Sequence, residues 1–237
     1  MSKLEQIRAA SNWRQITEGQ AQHLGIVTLM ALGAFSLLIE PEGARHLLGL
    51  TGKGWAITSI SLAILHQIVT AFGFRLQLHK ALLSRLFGDR DMHIWAMIFM
   101  PLLALRPITI ILTGWADEVA ITGLRPVEIV LGLALLAPAL WGMHSTIVHF
   151  TLRRAFGGDH FRDAIIALPM VNKGMFAYTS NAMYGVVFLG FWAIALLFGS
   201  WNALIVALFQ HAYIWVHMYC TEAPDMRRIY STAKPQS

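Results

Sequence analysis

The chain has 237 residues, of which 56% are hydrophobic and only 13% charged, against roughly 25% charged in a soluble globular domain. That deficit excludes an ordinary soluble enzyme. A formal charge of +5 does not call for nucleic acid, because basic residues beside membrane spans are matched to anionic headgroups. A single cysteine, Cys220, excludes an intrachain disulfide and a thiolate metal cluster.

In chain order, the first twenty residues are polar, and they lack the apolar core and small-residue cleavage site of a secretion signal. Leu4, Ile7, Ala10 or Ser11 and Trp13 set against charged neighbours predict an amphipathic interfacial helix within Met1 to Gln20, either covering a lipid entrance or acting as a simple anchor. Six apolar blocks follow: Ala21 to Ile39, Trp55 to Phe74, Met92 to Thr113, Val127 to Phe150, Met183 to Phe198 and Ala203 to Tyr219. Each is near the length of a spanning helix, and none has the ten-residue alternation of a barrel. The expected fold is an all-α polytopic membrane bundle of about six helices, forming one domain over residues 1–237.

Lys and Arg are retained on the cytoplasmic side of a membrane. Most of the 18 basic residues fall before span one or after spans two, four and six, among them Arg8, Arg75, Arg85, Arg154, Arg162, Arg228 and Lys234. Both termini are therefore expected in the cytoplasm, with the protein in a bacterial inner membrane. This orientation gives depths to the polar residues. His149 and His217 lie near the inner ends of their spans, and His66, His144 and His211 lie deeper. Asn181, Met183 and Tyr184 start span five at the same inner face, where the loop "FGGDHF" and Glu222 also emerge.

Gln210, Tyr213 and His217 recur at helical spacing, and Thr221 continues that face toward Glu222. Such a stripe serves as glue between helices or as a ligand face. The histidine separations, 144 to 149 and 211 to 217, do not place two imidazoles on one helical face, so bis-histidine haem binding would need ligands from different helices. No metal ligand set is expected. Arg106, on the outer half of span three beside Pro107, either snorkels to outer headgroups or clamps a lipid phosphate. "RLFGD" at Arg85 to Asp89 and "RAFGGD" at Arg154 to Asp159 read as interfacial turns.

Three stretches of the last third carry a likeness. "GGDHF", "NAMYG" and "TEAPDMRRIY" resemble, in order and spacing, the Gly-Asp-Tyr-Phe, Asn-Pro-Met-Tyr-x-Gly and Glu-x-Pro…Ile-Tyr segments of the phosphatidylethanolamine N-methyltransferases. These belong to a wider group that includes the isoprenylcysteine carboxyl methyltransferases. Ala182 stands where that family has proline, Gly185 follows Tyr184 directly, and Ala137-Pro138-Ala139 replaces a Gly-x-Gly.

The resemblance implies S-adenosylmethionine as methyl donor, held at the cytoplasmic ends of the last helices by residues 156–230. It implies Gly158, Asp159, His160, Asn181, Met183, Tyr184, Gly185, His217, Glu222 and Pro224 as donor-binding residues, and an acceptor such as the amine of phosphatidylethanolamine, within phospholipid biosynthesis. His217, Glu222 and His149 are the candidate catalytic groups, because an ammonium must lose a proton before it can accept a methyl group. Pro224 would end span six, and Met226, Ile229 and Tyr230 would fold the tail back over the site. Rival readings keep the donor site with a prenylated or small-thiol acceptor, or replace it with a haem-binding subunit or a transporter.

Overall fold

The structure, a computed structural model, describes residues 1–231; Lys234, counted above among the basic residues, lies outside them. Two short helices open the chain, α1 (Lys3–Ala10) and α2 (Trp13–Ile16), followed by α3 (Gln20–Leu37), α4 (Gly52–Lys80), α5 (Leu82–Phe87), α6 (Asp91–Ala116) and α7 (Arg125–Ser145). The short α8 (Leu152–Ala155) and α9 (Asp163–Ile166) sit in the long connection before α10 (Leu189–Phe198), α11 (Trp201–His217) and α12 (Ala223–Tyr230). No strand occurs among the described residues.

All six apolar blocks are helical over most of their length, although Leu38 and Ile39 lie beyond the end of α3. Four helical stretches are long and apolar enough to cross a membrane: Gly52–Lys80, Leu82–Ala116, Arg125–Phe150 and Trp201–Tyr230. The α3 block is 18 residues long, and Ala182–Phe198 is shorter. Only 22% of the apolar window of Arg125–Phe150 is buried. Leu131, Leu133, Leu140 and Trp141 instead face outward, an arrangement stable against hydrocarbon and not against water.

Inside, small residues let the backbones approach. Ala31 and Ala34 of α3, Ala56 and Ala63 of α4, Ala195 of α10, and Ala203 and Ala207 of α11 are all buried in one core with Ile60, Ile110 and Tyr213. At the loop-poor end, Asp117 accepts from Ser200 Oγ at 2.6 Å and from the backbone N and Nδ2 of Asn202. Arg125 donates to the carbonyls of Leu196 and Leu197, satisfying the exposed end of α10.

The amino-terminal helix differs from expectation. It breaks in two because Asn12 caps α2 through a reciprocal bond with Gln15, as Ser2 caps α1 with Glu5. It also docks inward: Leu4 is buried against Leu78 and Ile229, and Lys3 Nζ donates to the carbonyl of Ser231 at 2.8 Å. The amino terminus thereby fastens the carboxy-terminal helix.

Candidate active site

Three π-helical segments interrupt the long helices: Thr146–Phe150 after α7, Ala182–Val187 before α10 and Met218–Glu222 between α11 and α12. A π turn inserts an extra residue, re-aims the side chains around it, and is found disproportionately at functional sites. All three lie at the loop-rich end and border one cavity of about 140 Å³, to which they contribute Thr146, Met183, Tyr184, Val187 and Glu222. Phe74, Phe99, Met100, Phe156, Phe188 and Ile214 are among the apolar residues of the remaining wall.

In that apolar wall the Glu222 carboxylate, 20% exposed, is the acidic group. Tyr184 donates its hydroxyl to both carboxylate oxygens at 2.6 Å, short enough for a charge-assisted bond. His217 Nε2 lies 3.4 Å from Glu222 Oε1, and neither of its ring nitrogens makes an aligned hydrogen bond. His23 stands edge-on to His217, with ring centroids 5.7 Å apart, and shares a 3.0 Å hydrogen bond with the Tyr213 hydroxyl. A row of proton-carrying groups thus leads from the cavity to a groove lined by His23, Tyr213, Gln20 and Phe72.

The tail is clasped beside the cavity. Asp225, fully buried, forms an ion pair with Arg75, whose Nε lies 3.0 Å from Oδ1, and accepts from His160 Nε2 at 3.4 Å. His160 Nδ1 donates to Asp159 Oδ1 at 2.9 Å, and Tyr230 donates to Asp159 Oδ2 at 3.0 Å. Arg75 also donates to the carbonyls of Gln15 and Thr221 at 2.5 and 3.1 Å, and so ties together α2, α4 and the turn that carries Glu222. Burial opposes a charge on His160, but its hydrogen bonds to Asp159 and Asp225 outweigh burial and lift its pKa to about 10. His160 is therefore held as an imidazolium between two carboxylates. Phe74, which lines the cavity, stacks on the His160 ring with centroids 4.3 Å apart. Gly157 is required below it, since it adopts φ +81° and a Cβ there would collide with the Phe74 ring.

Of the donor-binding residues implied by resemblance, Met183, Tyr184 and Glu222 line the cavity and His217 reaches it through Glu222. Gly158, Asp159, His160 and Pro224 belong to the clasp around it. Asn181 and Gly185 are joined by a 2.8 Å backbone bond at the start of the π segment. His149 does not join His217: it lines a separate surface recess with Arg154, Asn172 and Lys173.

Several expectations change. Pro224 does not end span six, because it occupies the first turn of α12, where its missing N–H leaves no lost bond; the helix continues to Tyr230. Met226 and Ile229 fold back onto α1 and Leu78, and Tyr230 is the one that reaches the loop carrying Asp159. Arg75 is no loop residue but is 1% exposed within α4. Arg106 does not snorkel: it is 1% exposed and donates from Nε to Gln210 Oε1 at 2.7 Å.

His66, His144 and His211 stay apart. His66 lies edge-on to Phe99, His211 Nδ1 accepts from Trp192 at 2.9 Å, and His144 is exposed. Among the described residues no group of three or more His, Cys, Asp or Glu is placed to hold a metal ion. Sequence reasoning missed Asp225, His23 and Phe74. His23 was the recoverable one, sitting two residues inside the first apolar block.

Comparison with known proteins agrees with the motif reading. Residues 127–233 match the family model described as phospholipid methyltransferase. The chain is 27% identical over 112 residues to a phosphatidylethanolamine N-methyltransferase of Scheffersomyces stipitis, covering 46% of this chain and 13% of that protein. It is 29% identical over 140 residues to one from Malassezia globosa, covering 58% and 13%, and 29% identical over 110 residues to one from Candida albicans, covering 45% and 12%. The matched region thus spans about an eighth of these relatives' length. No solved structure matches the chain significantly. The likeness to phosphatidylethanolamine N-methyltransferases read from three short motifs is borne out, and it reaches upstream into α7.

Proposed function

We propose that this protein transfers a methyl group from S-adenosylmethionine to the amine of phosphatidylethanolamine or its methylated derivatives. The whole chain acts as one membrane domain, in which residues 156–230 hold the donor. The observation that carries the reading is the Glu222 carboxylate, set in an apolar cavity, held by Tyr184 at 2.6 Å and contacted by His217 at 3.4 Å, inside the stretch that matches the family.

The residues present fit such a donor. A sulfonium or ammonium cation gains most where a carboxylate is the single acid in a low-dielectric wall, and the Tyr184 ring can face that cation. When bound, the donor supplies an electrophilic methyl carbon. The protein's own part is then alignment and exclusion of water, for which the walls of Phe99, Phe156, Phe188 and Ile214 serve.

One proton has to leave for every methyl gained, because an ethanolamine ammonium and its methylated product carry the same charge. His217 takes that proton at Nε2, where Glu222 stabilises the resulting imidazolium. His23 and Tyr213 lie next in line toward the groove beyond. His149 has no part in this step. The loop-rich end is assigned to the cytoplasmic face of a bacterial inner membrane, supported by the excess of Lys and Arg there.

The test is to incubate membranes containing the protein with methyl-labelled S-adenosylmethionine, extract the lipids and separate the labelled species. Label in mono-, di- or trimethylated ethanolamine lipids, absent with Glu222→Ala, is the expected result. Label that persists with Glu222→Ala removes the site assignment, and donor binding without any labelled lipid transfers the reading to a thiol or prenylated acceptor.

A further inference from the structure

Arg106 differs from the other fully buried arginine. Arg75 faces Asp225 and several backbone carbonyls, whereas no carboxylate pairs with Arg106 among the described residues. Its Nε donates to Gln210 Oε1 at 2.7 Å, and its guanidinium lies 5.1 and 5.8 Å from the ring centroids of Phe188 and Phe191. Its Nη2 is buried without a hydrogen-bond partner, and the side chain lines the same cavity as Glu222 and Tyr184.

Gln210 is itself fixed. Its Nε2 donates to Ser59 Oγ at 3.1 Å, and Ser59 receives Thr109 at 2.8 Å, so the Nε edge of the guanidinium is committed and the outer edge is left over. His66 lines the same cavity, is 2% exposed, and has both ring nitrogens buried without partners.

An arginine with a purely structural role at this depth would bring its own acid, since an uncompensated buried cation is costly. The leftover donors are planar and forked, which suits the two oxygens of a phosphate better than a point contact. We propose that Arg106 and His66 form an anion subsite that holds the phosphodiester of the acceptor lipid while its amine lies at Glu222.

This rests on the methyl-transfer reading and deepens it. The order of the two subsites follows from α11. Gln210, which holds Arg106, and Glu222 lie on one helical stretch, Trp201–Tyr230, with Glu222 nearer the loop-rich end. A lipid of the leaflet on that side presents its amine outermost, its phosphate next and its chains deepest. Glu222 and Arg106 meet those groups in that order. The cavity wall around Arg106, with Met100, Leu103 and Phe188, is apolar as the glycerol and chains require.

The test uses the purified full chain in detergent and two short-chain probes that cannot be methylated: dioctanoylphosphatidylmethanol, a phosphodiester without an amine, and dioctanoylglycerol, which lacks the phosphate. Thermal stabilisation by phosphatidylmethanol and not by the diglyceride is expected. Arg106→Gln should weaken phosphatidylmethanol binding by about 10- to 100-fold, the range for a hydrogen bond to a charged group, with S-adenosylhomocysteine affinity unchanged.

Equal phosphatidylmethanol binding by Arg106→Gln overturns the subsite. Loss of S-adenosylhomocysteine binding also overturns it, assigning the guanidinium to the donor's carboxylate. If Arg106→Gln gives no folded protein, Arg106→Lys and His66→Phe decide: weaker phosphatidylmethanol binding is expected of both, and wild-type affinity in both overturns the proposal. Arg106-dependent binding of phosphatidylmethanol in a protein that methylates no ethanolamine lipid would leave the subsite standing and remove the methyl-transfer reading instead.

Discussion

Tyr184 and Glu222 share two 2.6 Å contacts in a site walled mostly by carbon, so their removal can be graded. Tyr184→Phe keeps the ring and deletes one charge-assisted donor, at a cost of about 1.5–3 kcal/mol; methyl transfer should fall about 10- to 100-fold. Glu222→Gln keeps the shape and deletes the charge, and should fall further, with S-adenosylhomocysteine binding lost by calorimetry while the protein still purifies. Asp225 behaves differently, since it is not part of the wall around Glu222 and it neutralises Arg75. Asp225→Ala leaves a buried guanidinium unpaired and should cost about 3 kcal/mol of stability. Arg75→Met combined with Asp225→Leu should recover much of the loss in a thermal melt, which separates a clasp from a catalytic group. The two acids were not equally legible. Glu222 is visible because a short acidic-proline motif follows an apolar run, whereas Asp225 acquires meaning only from Arg75, 150 positions away, and no periodicity connects them. Arg106 was legible as a charge inside a span, but its environment of Gln210 and two phenylalanines was not, because three helices converge to make it.

At the level of elements, the π segments and the clasp decide where Tyr184, His217 and Glu222 point. Local pattern foretold the helices well, since each apolar block is helical over most of its length, but not the π turns, which cost one misplaced hydrogen-bond register and arise from packing at the shared cavity. For the same reason Pro224 read as a stop: a proline is tolerated in a first turn, and nothing in the sequence announces that Met218–Glu222 restarts the helix. The clasp makes a pH prediction. His160 holds its proton more tightly folded than unfolded, with its pKa raised from 6.5 to about 10, so its stabilising contribution is complete below pH 6.5 and fades as pH rises toward 10. Thermal unfolding should therefore show a fall in midpoint across that window, and a His160→Asn variant, already less stable, should lose this part of the slope. The loop beneath it gives a second case. Gly157→Ala introduces a side chain at φ +81° and against Phe74, and the backbone alone costs about 1 kcal/mol. A lowered melting midpoint together with reduced methyl transfer is expected, since Phe74 belongs to both the clasp and the cavity wall.

For the molecule as a whole, the proposed reaction depends on which end faces the cytoplasm, because it brings a soluble donor and a membrane acceptor to one interface. The loop-rich end holds the amino-terminal helices, the clasp and Glu222, and it also holds most of the basic residues. Burial refines that charge count. Arg75 pairs with Asp225 and Arg162 with Asp91, at 2.5 Å, so these two cations are structural and cannot be counted as free to interact with headgroups. Arg85, Arg90 and Arg153 make no ion pair among the described residues, and they keep the bias on the same side. Cysteine labelling in intact cells tests the assignment directly. In a Cys220→Ser background, Asn172→Cys and Asp89→Cys at the loop-rich end should resist a membrane-impermeant maleimide until the cells are opened. Glu42→Cys and Glu118→Cys at the opposite end should react at once. Labelling of Asn172→Cys from outside would place the donor site across the membrane from the cytoplasmic donor, and the methyl-transfer reading would then lose its supply of methyl groups even if every contact around Glu222 stood as described.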